Sequence, residues 1–226
     1  MPSPLYFKQL EIGPMQNYVY LIGSTETRKV AVVDAAWEID TILKIVAQDE
    51  MEITHAFVTH THPDHVGGAF AGNDIPGIAE LLSRCKAKVV VHKAEAEADA
   101  LKGLSSSDLI KAESGDKIDV GGIEIQLMHT PGHTPGSQCF LVDGRVVSGD
   151  TMFIDACGRV DFPGGNAEQM YYSLTQKLMA LPDETILFPG HNYARLAHAT
   201  IGEQKKTNPY LRFASLKQFL AAMGYR

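Results

Sequence analysis

Cysteine is scarce in this chain, and long apolar runs are missing. Only Cys85, Cys139 and Cys157 occur among 226 residues, far apart and odd in number. With no Cys-x-x-Cys pair, neither a cysteine-held zinc knuckle nor a disulfide framework is expected, and a reducing compartment, the cytoplasm, is the predicted location. No stretch of about 18 apolar residues exists, so no helix spans a membrane and no membrane partner is expected. The first eight residues lack a basic segment followed by an apolar run, so no secretory leader is expected. Positive charge is also in deficit: 20 Lys and Arg against 27 Asp and Glu give a formal net charge of −7. Nucleic acid is therefore not an expected partner, because neutralising phosphates needs a basic face.

Hydrophobic residues make up 45% of the chain, enough for a substantial core. The pattern alternates. Strands are predicted at 5–10, 18–22 and 30–34, the last rich in β-branched residues. Ile39, Ile42, Leu43 and Val46 recur at helical spacing, giving a helix at 38–48 with one buried stripe. A short strand at 56–59 runs into a His-rich loop. Then come a helix at 78–85, a strand at 89–92 and an Ala/Glu-rich helix at 94–101. Gly121-Gly122 and Asp143-Gly144 mark two hairpins, 118–120 with 123–128 and 139–142 with 146–148. Met170, Leu174 and Leu178 share one face of a helix at 167–180, a strand follows at 185–188, and a mostly helical tail occupies about 194–226. No low-complexity linker or short repeat divides the chain. One domain over 1–226 is expected, built from two similar α/β halves packed face to face with helices outside.

Nine His and twenty Gly stand out, and the His are not scattered. Thr59-His60-Thr61-His62-Pro63-Asp64-His65 places three imidazoles and a carboxylate within six residues, just after a strand. Imidazole and carboxylate together suit zinc, iron or manganese. In an extended segment His60 and His62 point to the same side and can share one ion, while Asp64 and His65, beyond the Pro63 bend, can serve another. Three further candidates follow strands and sit beside Gly: His133 in Thr-Pro-Gly-His-Thr-Pro-Gly-Ser, Asp150 in Ser-Gly-Asp-Thr, and His191 in Pro-Gly-His-Asn-Tyr. His55, His92, His129 and His198 have no such context and read as ordinary core or surface residues.

The order of these elements, over about 17 to 193, closely resembles the metallo-β-lactamase-fold hydrolases. The resemblance implies an α/β fold, a four-layer αββα sandwich of two mixed sheets with outer helices, with a dinuclear site at one edge. It implies that His60, His62 and His133 hold one metal, that Asp64, His65 and His191 hold a second, and that Asp150 bridges them. Asp34, at the end of an early strand, matches an acidic residue that steadies a ligand imidazole from behind. Within the family, the stretch from Gly149 to Arg159 and the run Thr207-Asn208-Pro209-Tyr210-Leu211-Arg212 are similar to the glyoxalase II and persulfide dioxygenase branch. In glyoxalase II the basic residue after Cys-Gly binds the glutathione moiety; Arg159 occupies that position. Cys157 reads as a packed thiol rather than a nucleophile. Typical glyoxalase II carries a longer C-terminal helical region, so a different thioester is also compatible with this chain.

Two bound divalent metal ions, zinc by expectation with iron or manganese as alternatives, would generate hydroxide at neutral pH, so no side-chain nucleophile is needed, and no Gly-x-Ser-x-Gly elbow is present. The expected activity is hydrolysis of a small-molecule acyl thioester, with glutathione-derived compounds among the candidates and Asp64 orienting the attacking hydroxide and passing on its proton. A mononuclear iron persulfide dioxygenase, resting on His60, His133 and Asp150, is the alternative. A non-catalytic metal-binding module, which would show a blocked site or missing ligands, is the third reading. Assembly as a homo-oligomer is compatible with all three. Segment 70–82 is a candidate apolar lip over the site, through Ile75, Pro76 and Ile78, or else plain packing against the core.

Overall fold

The computed structural model describes residues 3–70 and 72–225; Met1, Pro2, Arg226 and Ala71, the last within the candidate lip, lie outside the described residues. Two six-stranded mixed sheets carry the fold. The first runs in spatial order Leu5–Ile12, Asn17–Ser24, Lys29–Val33, Glu52–Phe57, Lys88–His92 and Leu109–Ala112. Its first three strands pair antiparallel and the remainder parallel. The second runs Lys117–Val120, Ile123–His129, Gln138–Val142, Arg145–Gly149, Ile186–Pro189 and Ala199–Thr200, with a single parallel pair between Arg145–Gly149 and Ile186–Pro189.

Three apolar cores separate four layers. In the strand Asn17–Ser24, Tyr18, Tyr20 and Ile22 face the second sheet while Val19 and Leu21 face the opposite way, the two-residue period of a strand buried on both sides. The middle core joins them to Phe57, Val90, Phe140, Val147 and Phe188 of the two facing sheets. On the outer side of the first sheet, helix Ile39–Gln48 contributes Ile39, Ile42 and Val46, and helix Ile78–Arg84 contributes Ile78 and Leu81. On the outer side of the second, Met170, Leu174 and Leu178 pack with Leu211 and Phe219 of the C-terminal segment. Helices, sheet, sheet, helices is the expected αββα sandwich. The Asp143-Gly144 turn has positive φ at both residues, +42° and +72°, the twist a two-residue hairpin needs.

Several segments depart from the pattern. The helix expected at 94–101 is instead two 3₁₀ turns, Lys93–Glu95 and Asp99–Leu101. His92 Nδ1 accepts from the Ala94 amide at the first turn, and Glu95 is drawn inward by hydrogen bonds to distant loops, so tertiary contacts override a helix-favouring composition. The helix at 167–180 is α-helical over Ala167–Tyr172 and widens to a π-helix over Ser173–Leu178, where the Ser173 hydroxyl donates to Pro131 O and the Thr175 hydroxyl to Tyr171 O. The edge strand Leu109–Ala112 and two short hairpins, Gly68–Phe70 with Asn73–Ile75 and Met152–Phe153 with Ala156–Cys157, carry too few residues to show a period. The candidate lip is core packing for the most part: Ile75 and Ile78 are buried, Pro76 is exposed, and among the described residues of this segment only Phe70 lines the cleft described below.

Candidate metal centre

Four loops leave the strands at one edge of the sandwich and converge. The 59–65 loop follows Glu52–Phe57, and His133 follows Ile123–His129. Asp150 comes directly after Arg145–Gly149, and His191 after Ile186–Pro189. All seven expected donors meet there. His62 Nδ1 lies 3.1 Å from His60 Nε2 and 2.9 Å from His133 Nε2. His65 Nε2 lies 3.2 Å from His191 Nε2 and 3.3 Å from Asp64 Oδ2, which is 3.4 Å from His191 Nε2. Asp150 reaches both groups: Oδ1 is 3.4 Å from His65 Nε2, and Oδ2 is 3.5 Å from His191 Nε2 and 3.6 Å from His133 Nε2.

These spacings suit shared metal ions. Two nitrogen donors on one tetrahedral ion, each bonded at about 2.0–2.1 Å, stand roughly 3.3 Å apart. His60, His62 and His133 form one compatible trio, and Asp64, His65 and His191 another. Asp150 Oδ1 is buried and has no hydrogen-bond partner, an orphan a cation would satisfy. The residues present therefore fit two divalent ions.

The far side of four of the five rings is held. His65 Nδ1 donates to Asp34 Oδ2 at 2.9 Å, His133 Nδ1 to Arg159 O at 2.7 Å, and His191 Nδ1 to Met15 O at 3.0 Å. The Thr59 hydroxyl donates to Asp34 Oδ2 at 2.6 Å, which leaves its oxygen to accept from His60 Nδ1 at 3.0 Å. Four imidazoles are thus fixed with Nε2 free to bind, and only His62 presents Nδ1. Asp34, at a φ of +56° and 3% exposed, thus stands behind His65, and it also accepts from the Thr59 amide at 2.8 Å. Sequence reasoning missed Thr59, and it missed Asn17, whose Nδ2 donates to Asp64 O and Oδ2 at 3.0 and 3.1 Å. Thr59 is visible in the motif as a residue but not as a link, because Asp34 lies 25 positions away.

Without metal, protonation follows the same geometry. Burial pushes His60 well below the ordinary imidazole value, and burial with the neighbouring imidazoles takes His62 down to about 4. Burial opposes ionisation of Asp64, but the imidazoles of His65 and His191 outweigh it and hold the carboxyl below its usual range. Burial likewise opposes charge on His191, yet hydrogen bonds to Asp150 and Asp64 raise it to about 9. His65 is raised in the same manner by Asp64, Asp150 and Asp34. Bound metal would displace those protons, and the carboxylates of Asp64 and Asp150, both held below the usual range by neighbouring imidazoles, would attract the cations.

A cleft of about 530 Å³ opens over the donors. Its wall is largely apolar, with Met15, Phe70, Phe153, Phe162 and Tyr193. Tyr193 stacks on His191 at 4.5 Å and 10°, while Phe162 stands edge-on to His62 at 5.6 Å. Arg159 is at the rim as expected, but its guanidinium pairs with Asp161 through Nε at 2.9 Å and a second nitrogen at 2.7 Å, and lies 4.3 Å over Phe162. Cys157 also lines the cleft; burial pushes its thiol up to about 12, so it stays protonated. His92 and His129 stack on each other at 3.8 Å, and neither they, His55 nor His198 joins the donor groups.

The model of the Metallo-beta-lactamase superfamily matches residues 12–191. The chain is 29% identical to the persulfide dioxygenase ETHE1 of Bos taurus over 98% of its own length and 81% of that protein. It is 35% identical to the hydroxyacylglutathione hydrolase of Photobacterium profundum over 87% of its length and 69% of that protein. The crystal structure of ETHE1 from Myxococcus xanthus superposes with a TM-score of 0.82 at 35% identity, covering 97% of this chain and 90% of the other. From its matched motifs, its αββα layers and its converging donors, this chain belongs to the metallo-β-lactamase superfamily.

Proposed function

We propose that the chain is a dinuclear-metal hydrolase acting on the thioester of a small thiol, with glutathione-type compounds as the first candidates. Asp150 carries the reading: a single carboxylate stands within 3.6 Å of donor atoms from both trios, where two ions would share it. When bound there, two divalent ions would supply a hydroxide at neutral pH and polarise the thioester carbonyl. Zinc suits the nitrogen-rich donor set, and iron and manganese are the alternatives.

The chain's own residues orient and exclude. Asp64, steadied by Asn17 at Oδ2, borders the cleft, where it can orient the attacking water, accept its proton and return it to the leaving thiolate. Phe153, Phe162 and Tyr193 wall off water and offer an apolar surface to the acyl group. Arg159 at the rim suits a carboxylate on the thiol, in exchange with Asp161. The thiols Cys85, Cys139 and Cys157 are all free, which suits a reducing cytoplasm. Among the described residues no helix is long and apolar enough to cross a membrane.

A second reading is an iron persulfide dioxygenase, favoured by the likeness to ETHE1 from Myxococcus xanthus across 97% of the chain. His60, His133 and Asp150 supply the two-His, one-carboxylate set such an iron needs. The complete donor set and the open cleft count against a non-catalytic metal-binding module. Metal analysis of the natively purified chain, run beside thioester hydrolysis and oxygen-uptake assays, tests the proposal. Two metals with hydrolysis supports it; one iron with persulfide-dependent oxygen uptake replaces it with the second reading.

A further inference from the structure

Glu95 is a buried carboxylate, 7% exposed, that belongs to neither donor group. Its Oε2 accepts from both the amide and the hydroxyl of Thr61 at 2.8 Å, and its Oε1 accepts from the Gly136 amide at 2.8 Å. Thr61 lies between His60 and His62, and Gly136 lies three residues after His133. One side chain therefore ties together the two loops that carry the whole of the first trio. Asp34, Asn17 and Met15 hold Asp64, His65 and His191 of the second trio, and Glu95 touches none of these ligands.

The contact is close. A Cβ built on Gly136 would stand 2.8 Å from Glu95 Cγ, so the carboxylate reaches this amide only because position 136 has no side chain. Glu95 ends the 3₁₀ turn Lys93–Glu95, which stands in place of the α-helix its composition favours. Three donors converging on one anion form the strong class of hydrogen bond, and the carboxylate leaves none of the three unmatched.

We propose that Glu95 is a positioning residue that sets the spacing of His60 and His62 against His133, and so governs metal affinity at the first trio alone. The inference holds whichever reaction the centre performs and requires only that it bind metal. Glutamine at this position keeps the size but offers one acceptor oxygen. Its NH2 must then face an N–H or hydroxyl donor, so one loop is released.

The test is cobalt(II) titration of the metal-free chain, followed by visible absorption, with His191→Ala identifying which of the two equivalents belongs to the second trio. Glu95→Gln should weaken the first-trio equivalent by about 10–100-fold and alter its absorption band, with the second-trio equivalent unchanged. Thr61→Ala removes one of the three bonds and should weaken the same equivalent by a smaller factor; it also serves if Glu95→Gln fails to fold. Equal weakening of both equivalents in step with a lower melting temperature of the metal-free chain would make Glu95 a general structural residue. Unchanged affinities, or loss confined to the second trio, would overturn the proposal outright.

Discussion

Replacing Asp34 by Asn isolates one link of the metal centre from the backbone that presents it. Asp34 has a φ of +56°, a left-handed conformation that Asn tolerates and Ala resists by about 1–2 kcal/mol. Its carboxylate accepts from the Thr59 amide at 2.8 Å, the Thr59 hydroxyl at 2.6 Å and His65 Nδ1 at 2.9 Å. An Asn oxygen can serve the Thr59 hydroxyl and His65, but its NH2 then faces the Thr59 N–H and leaves a buried donor unmatched. An unmatched buried donor costs about 1–3 kcal/mol, and the two remaining bonds lose their charge assistance, so the metal-free chain should lose on the order of 2–4 kcal/mol of stability. His65 keeps a neutral acceptor but loses the carboxylate that raises its basicity as a ligand, which should weaken metal at the second trio by about 10–100-fold. Asp34→Ala should fall further than Asp34→Asn, by the conformational term and by the two bonds that only an oxygen can accept. Urea unfolding of the metal-free variants and metal titration measure the two effects separately. Wild-type stability and wild-type affinity for both metals in Asp34→Asn would show that the Asp34 hydrogen bonds do not support the centre.

Three further expectations can be checked with single variants. Asp64→Asn should keep the fold and much of the metal but lower kcat sharply, because an amide cannot accept a proton; unchanged kcat at constant metal content would make Asp64 a scaffold residue. Arg159→Ala should raise KM several-fold for a thioester whose thiol carries a carboxylate and leave a neutral thioester of the same acyl group nearly unaffected, a modest effect because the guanidinium is exposed and already paired with Asp161. Equal changes on both substrates would mean that Arg159 does not read the thiol. Cys157, with its thiol raised to about 12, should react slowly with iodoacetamide at pH 7.5 although it borders the cleft; rapid modification would place a thiolate there.

The metal donors were legible in the sequence because each lies beside a local signal, a strand end followed by Gly or Pro, and because one short loop carries four of them. The strands buried on both faces, such as Lys29–Val33, were legible from unbroken β-branched runs. What could not be read was whatever depends on two distant segments meeting. Asn17 sits in an early strand and acts on Asp64, 47 positions away. Glu95 sits in a stretch whose Ala and Glu content predicts a helix, and only the Thr61 and Gly136 amides turn it inward. Arg159 was placed at the rim by its spacing from Asp150, but its pairing with Asp161 over Phe162 required the folded loop. Local propensity is a weak prior at such places, and tertiary hydrogen bonds decide.

The central claim is that Asp150 joins two metal ions in a hydrolytic centre. The most direct test is metal content measured together with thioester turnover in the wild-type chain and in Asp150→Ala. The account predicts two equivalents of metal and oxygen-independent hydrolysis in the wild type, with loss of second-trio metal and nearly all turnover in the variant. Two retained metals with normal turnover in Asp150→Ala, or a wild-type chain that holds one iron and consumes oxygen with a persulfide, would contradict it.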